Sequence, residues 1–211
     1  MTASRRALGL GLLGYGITTT VAFMAIGSPG GDYSDRMVTD YVAQGHWVTA
    51  FLWSYAGMAG AVCLFAFGLG ARATWGRLGE LIWGLAVAGA ASSVAGWFVV
   101  GGVAVSMAEG GHAVQTGVAH PVVYTLTEIG NLLAFCSPAF FIGVAAVALA
   151  VRAPMPTWLR VVTVLAGVCG ILAPLYFTYF LFALWTVGFG AWALRERRSV
   201  APESAVQASL V

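Results

Sequence analysis

Tyr124, Glu128 and Asn131 stand at i, i+4 and i+7, a spacing that sets three polar side chains on one helical face, with Thr127 beside them. The run that carries them, Pro121 to Val151, is otherwise strongly apolar. A carboxylate well inside such a run costs roughly 3 kcal/mol on membrane-insertion scales, so it turns inward and finds a partner or a proton. Two chemistries fit. Glu128 is either a proton- or ligand-binding group of an internal site, or a neutral acid bonded to a neighbouring helix, a contact worth around 1 kcal/mol. Glu128 lies about seven residues beyond Pro121, which is roughly 10 Å of helical rise.

A second group holds metal-ligating residue types. His46 opens one apolar run, His120 immediately precedes Pro121, and His112 lies between runs beside Glu109. Imidazoles with a carboxylate suit zinc or another divalent cation. Their spacing matches no metal motif, and neither HExxH nor paired CxxC accompanies them. The alternative is three histidines dispersed around a membrane rim.

Other patterns fail on context. Gly9-Leu10-Gly11-Leu12-Leu13-Gly14 has the form GxGxxG but lies inside an apolar helix with no strand before it. The chain contains no lysine, which removes a Walker A phosphate loop, a retinal Schiff base and a pyridoxal lysine. Cys63, Cys136 and Cys169 are isolated, odd in number, and read as buried thiols.

The elements that position these residues follow from charge and hydropathy. Hydrophobic residues make up 60% of the 211 and charged residues 9%, far below the roughly 25% of soluble domains. All ten basic residues are arginine, and nine cluster at Arg5/Arg6, Arg72/Arg77, Arg152/Arg160 and Arg195/Arg197/Arg198. Basic residues flank the cytoplasmic ends of membrane helices, so each intervening stretch should cross out and back. Net charge is only +2 and a nucleic-acid partner is excluded.

These features predict an all-α transmembrane bundle of six spans, with both termini cytoplasmic, in a bacterial inner membrane. The predicted helices are Ala7–Ile26, Trp47–Gly70, Leu78–Met107, Pro121–Val151, Leu159–Ala173 and Leu175–Leu194. The last two share one apolar stretch, split near Pro174. Unsplit, that stretch would run roughly 55 Å and give five spans. Its turn is rich in aromatics: Tyr176, Phe177, Tyr179 and Phe180. The first helix imitates a signal peptide and is expected to be retained. Met37, Val38, Tyr41 and Val42 predict a short interfacial helix in the first exported loop, with Asp32, Asp35 and Asp40 facing water. Residues 1–198 form one bundle, and 199–211 a mobile polar tail. Pro138 should kink the fourth helix, and Ser92, Ser93, Gly101 and Gly102 face it as candidates for lining a cavity.

The segment Asp40-Tyr41-Val42-Ala43-Gln44-Gly45-His46 leading into the second helix, with Pro154-Met155-Pro156-Thr157-Trp158-Leu159-Arg160, resembles small multi-pass membrane proteins of actinobacteria. That resemblance implies a six-helix bundle; the group has no assigned activity, and no functional residue is carried over.

Three classes of function stay open. The first is a non-enzymatic membrane protein, an accessory subunit or a binder of lipid or another apolar molecule, in an outward-facing pocket with Tyr124, Glu128 and Asn131 as ligand-binding residues. The second is a small proton-coupled transporter using Glu128. The third is a metal-dependent membrane enzyme using the outer histidines, with His46, His112, His120 and Glu109 as ligands of a divalent metal such as zinc. The expected partners are the lipid bilayer, other membrane subunits or a second copy of the chain.

Overall fold

A computed structural model describes residues 3–26, 46–109 and 120–195. Over these residues the chain is helical and contains no strand. The first helix, α1, is Ala3–Ala25. His46–Glu109 follows and is broken only at Trp75 (φ −123°, ψ 20°) and Gly76 (φ 52°, ψ −123°). The positive φ favours glycine, which carries no Cβ penalty there. That break folds the stretch into two antiparallel arms, α2 (46–74) and α3 (77–109). Phe65 of α2 meets Trp83 of α3 with ring centroids 6.0 Å apart, and Arg72 Nε donates to Glu80 Oε1 at 2.7 Å across the bend.

The fourth rod, α4 (120–152), consists of an α segment His120–Asn131, a π segment Leu132–Cys136 and a second α segment Ser137–Arg152. Ala153 and Pro156 are extended, and Pro156 caps the start of α5, Thr157–Ile171. A 3₁₀ turn at Ala173–Leu175 leads into α6, Phe177–Arg195. Pro174 has no amide hydrogen to continue α5, so the break falls where its chemistry requires. The predicted division near Pro174 therefore matches the structure, with α5 ending two residues earlier and α6 starting two residues later than expected.

Glycine faces set the packing, because small residues let helix backbones approach closely. A side chain at Gly11 of α1 would strike the α2 backbone at Cys63 and Phe67. Gly9 meets Gly190 of α6, Gly143 of α4 meets Gly167 of α5, and Gly96 of α3 lies on the backbone of Leu133 and Ala134 in α4. Phe135 occupies the centre, edge-on to Trp97 at 4.8 Å and to Phe23 at 4.6 Å, with Tyr179 at 6.1 Å. Tyr15, Phe67, Trp97 and Phe182 are buried around it. Helix α1 is thus part of the core, with Leu12 and Tyr15 inside the bundle.

These antiparallel contacts give the bundle two ends. The upper end carries Ala25, His46, Glu109, His120 and the α5–α6 turn. The lower end carries Ala3, the Trp75–Gly76 bend, the Arg152–Thr157 link and Arg195. Arg5, Arg6, Arg72, Arg77, Arg152, Arg160 and Arg195 all belong to the lower end. Four stretches among the described residues are long and apolar enough to cross a membrane: Ala3–Ala25, Val48–Val105, Thr125–Arg152 and Phe177–Arg195. The second, 58 residues long, would extend about 87 Å as a single rod; it is the α2–α3 hairpin. Thr157–Ile171 is apolar but shorter. The expected interfacial helix at 37–42 and the tail at 199–211 lie outside the described residues.

Candidate functional site

Pro138 does not break α4 by itself; its missing donor is absorbed by the π segment and by α3. Ser137 N–H reaches back five residues to Leu132 O. Pro138 follows with no N–H, which deprives the Leu133 carbonyl of its helical donor. Ser92 Oγ donates to Leu133 O at 3.1 Å and Ser93 Oγ to Ala134 O at 3.3 Å. Hydroxyls of a neighbouring helix satisfy freed carbonyls in this way where water is absent. Ser92 and Ser93 thus donate to backbone carbonyls of α4 across the α3–α4 contact. Such π segments recur at functional sites.

Above the π segment, Glu128 is half-buried and its Oε2 accepts a hydrogen bond from Tyr176 Oη at 2.7 Å. Tyr176 lies in the α5–α6 turn, 48 residues on in sequence. Its backbone has φ 56° and ψ −53°, the one positive φ at a non-glycine residue among those described. A side chain in that region costs on the order of 1–3 kcal/mol and persists only when its surroundings hold it. Here they do. Tyr176 N–H donates to Ala173 O at 2.8 Å, Tyr179 N–H donates to Tyr176 O at 3.0 Å, Thr178 Oγ1 donates to Leu172 O at 2.7 Å, and Cys136 Sγ donates to Ala173 O at 3.4 Å. The turn is thus tied to α4 at Cys136 and again at Glu128.

Of the stripe predicted from sequence, Asn131 is buried, at 8% exposure, one turn below Glu128. Tyr124 sits in the same helical segment, and its side chain is outside the described residues. In the sequence Tyr176 is one of four aromatics of the turn, and nothing local to it or to Glu128 announces the pair.

A cavity toward the upper end lies between α2 and α3. It has a volume of about 360 Å³, and its walls are Phe51, Ser54, Tyr55 and Met58 of α2 with Trp97, Phe98, Gly101, Gly102 and Val105 of α3. None of these residues is charged. Gly101 and Gly102, expected at a cavity, line this one from α3, on the face that meets α2. Tyr55 and Phe98 stand at the margin, 54% and 58% exposed, and Trp97 forms the inner wall with no exposure. Position 57 of α2 faces the indole, and any side chain there would overlap it, so only glycine fits. Trp97 Nε1, Tyr15 Oη and Thr19 Oγ1 are buried without a hydrogen-bond partner among the described residues. A signal for Trp97 existed in the sequence. Membrane tryptophans concentrate at the interfaces, whereas Trp97 is mid-segment and faces a glycine.

A second hollow, about 490 Å³, runs between α5 and α6 near the lower end and is walled by apolar residues from Trp158 to Trp192.

The proposed metal ligands are not brought to view. His112 lies outside the described residues, and His46, Glu109 and His120 are placed in helices with side chains outside them. No group of three metal-ligating side chains occurs among the described residues. The chain matches no family model, no curated protein and no solved structure.

Proposed function

We propose that this chain is a six-span protein of a bacterial inner membrane, with both termini cytoplasmic, that binds a small apolar molecule between α2 and α3 without transforming it. The gathering of arginines at the lower end supports the orientation, since basic residues are retained on the cytoplasmic side. The upper end, with the pocket and Glu128, then belongs to the exported half.

The observation that carries the binding reading is the α2–α3 pocket. Its 360 Å³ falls in the range of roughly 300–1,000 Å³ of small-molecule sites, and its apolar, aromatic walls with few polar groups are those such sites share. The exposure of Tyr55 and Phe98 at the margin supports an entrance from the lipid-facing side of the hairpin. The test is titration of the purified full chain with an apolar fluorophore, beside Gly102→Leu. A Cβ at Gly102 meets nothing within 4 Å, so the substitution is tolerated while its side chain occupies the pocket. Loss of saturable binding in Gly102→Leu is the expected result; unchanged binding refutes the site.

A second reading, a proton-coupled carrier, is favoured by the Glu128–Tyr176 contact beside a π segment. Proton uptake by proteoliposomes carrying wild type or Glu128→Gln separates the two, because the binder predicts no difference.

A further inference from the structure

We propose that the hollow between α5 and α6 seats one anionic phospholipid from the leaflet at the lower end of the bundle, with an acyl chain in the hollow and the headgroup phosphate on Arg195. This site is separate from the α2–α3 pocket and from Glu128.

The α5–α6 hairpin is closed at its turn and open below. Near the turn a Cβ at Gly170 of α5 would strike Phe182 of α6, so the helices touch there; at Gly188 of α6 a Cβ would meet nothing within 4 Å. The space between them is the 490 Å³ hollow. Its α5 wall runs from Trp158 to Cys169 and its α6 wall from Leu181 to Trp192, each about 16 Å of helical rise. That is close to half of a hydrocarbon core roughly 30 Å thick, the depth of one leaflet. Leu165 and Leu184 at the rims are 61% and 70% exposed, so the hollow opens toward lipid.

The wall offers hydrocarbon contacts. Trp185, Phe189 and Trp192 follow one another along α6 with ring centroids 5.2 and 5.4 Å apart. Trp185 Nε1 is spent on Thr163 Oγ1 at 3.2 Å. None of the lining residues is charged, so an ionic group would be buried there uncompensated.

Charge enters only at the lower mouth. Trp158 and Trp192 flank it, at the level tryptophans take in a membrane interface. Arg195 is exposed in the last turn of α6, three residues after Trp192 and on the same face. A guanidinium at that level makes charge-assisted hydrogen bonds to a phosphate. Arg160 is exposed at the same end, but it is turned about 160° from the α5 face that lines the hollow. A second copy of the chain is a poorer occupant. A two-fold interface brings one patch onto itself, which here sets hollow against hollow and Arg195 against Arg195. An apolar channel one leaflet deep, with a cation at its membrane-surface end, matches a lipid of that leaflet with a negative headgroup.

The test titrates the purified full chain in detergent with dioleoylphosphatidylglycerol or dioleoylphosphatidylcholine, which share their chains, and counts bound lipid by native mass spectrometry. Wild type is expected to retain one phosphatidylglycerol about fivefold more tightly than phosphatidylcholine, the scale of one cation at a lipid surface. Arg195→Gln should reduce phosphatidylglycerol to the phosphatidylcholine level, and Arg160→Gln should leave the preference intact. Gly188→Leu places a side chain in the hollow and should lose the retained lipid of either kind. Equal wild-type affinities, or equal effects of Arg195→Gln and Arg160→Gln, overturn the proposal. Retention untouched by Gly188→Leu overturns it as well, and a dimer in place of bound lipid gives the hollow to a second copy. The two arginine variants change exposed residues, so their comparison decides the matter even if Gly188→Leu fails to fold.

Discussion

Tyr176 Oη and Glu128 Oε2 are 2.7 Å apart, and this bond joins a turn with a left-handed backbone to a carboxylate on another helix. A hydroxyl donating to a carboxylate is among the stronger side-chain bonds, on the order of 1.5–3 kcal/mol. One atom of Tyr176 thus adds a tie to α4 beside the bonds that the backbone, Thr178 and Cys136 make within and to the turn.

Tyr176→Phe keeps the ring and removes that atom. It is expected to lower unfolding stability by about 1–3 kcal/mol, while Glu128→Gln, which still offers an oxygen acceptor, costs less. Thermal unfolding in detergent orders the two. A Tyr176→Phe protein as stable as wild type means that the bond contributes nothing.

The link between Pro138 and the two serines is testable as a cycle. Ser92→Ala with Ser93→Ala leaves carbonyls of the π segment unpaired and should cost about 1–3 kcal/mol per lost bond. Pro138→Ala restores a backbone donor, so the serine substitutions should matter less in that background. Additive effects would show that the serines do not answer to Pro138.

Two glycines of α3 should behave oppositely. At Gly96 a Cβ would collide with the backbone of Ala134, which cannot swing aside as a side chain can, and Gly96→Ala should destabilise by at least about 1–3 kcal/mol. Gly102 has open space, and Gly102→Ala should be neutral or stabilising by up to about 1 kcal/mol through helix propensity. Denaturant titration of both variants checks the contrast.

Orientation is read by single cysteines in a background lacking Cys63, Cys136 and Cys169. A cysteine at Ser204 should react with an impermeant maleimide only after the membrane is opened, and one at Ser28 in intact cells. Labelling of position 204 from outside contradicts six spans with cytoplasmic termini.

Much of the helix pattern was legible because length and breaking chemistry are local. Pro174 inside an overlong apolar stretch announced the α5–α6 division, and the arginine pairs anticipated which helix ends lie together. The fate of Pro138 was not legible. Its lost donor is compensated by Ser92 and Ser93, each 41 residues before the carbonyl it meets, and no periodicity records which serine faces which carbonyl. The α2–α3 pocket was hidden for a similar reason: Gly101 and Gly102 look equally small to either neighbour, and only the fold of the hairpin turns them toward α2. Glu128 was conspicuous as a carboxylate among apolar residues, but its partner sits in a turn whose position depends on the whole bundle.

The π segment of α4 has a bearing on how this chain tolerates change in length. A π turn holds one residue more than the α turn it replaces, so Leu132–Cys136 amounts to an insertion stored within a helix. Deleting one residue there would return α4 to uniform winding and rotate everything above it by about 100° relative to everything below. Glu128 would swing away from Tyr176 while Gly143 kept its seat against Gly167. The segment works as a phase adjuster, letting the two halves of one helix meet different neighbours.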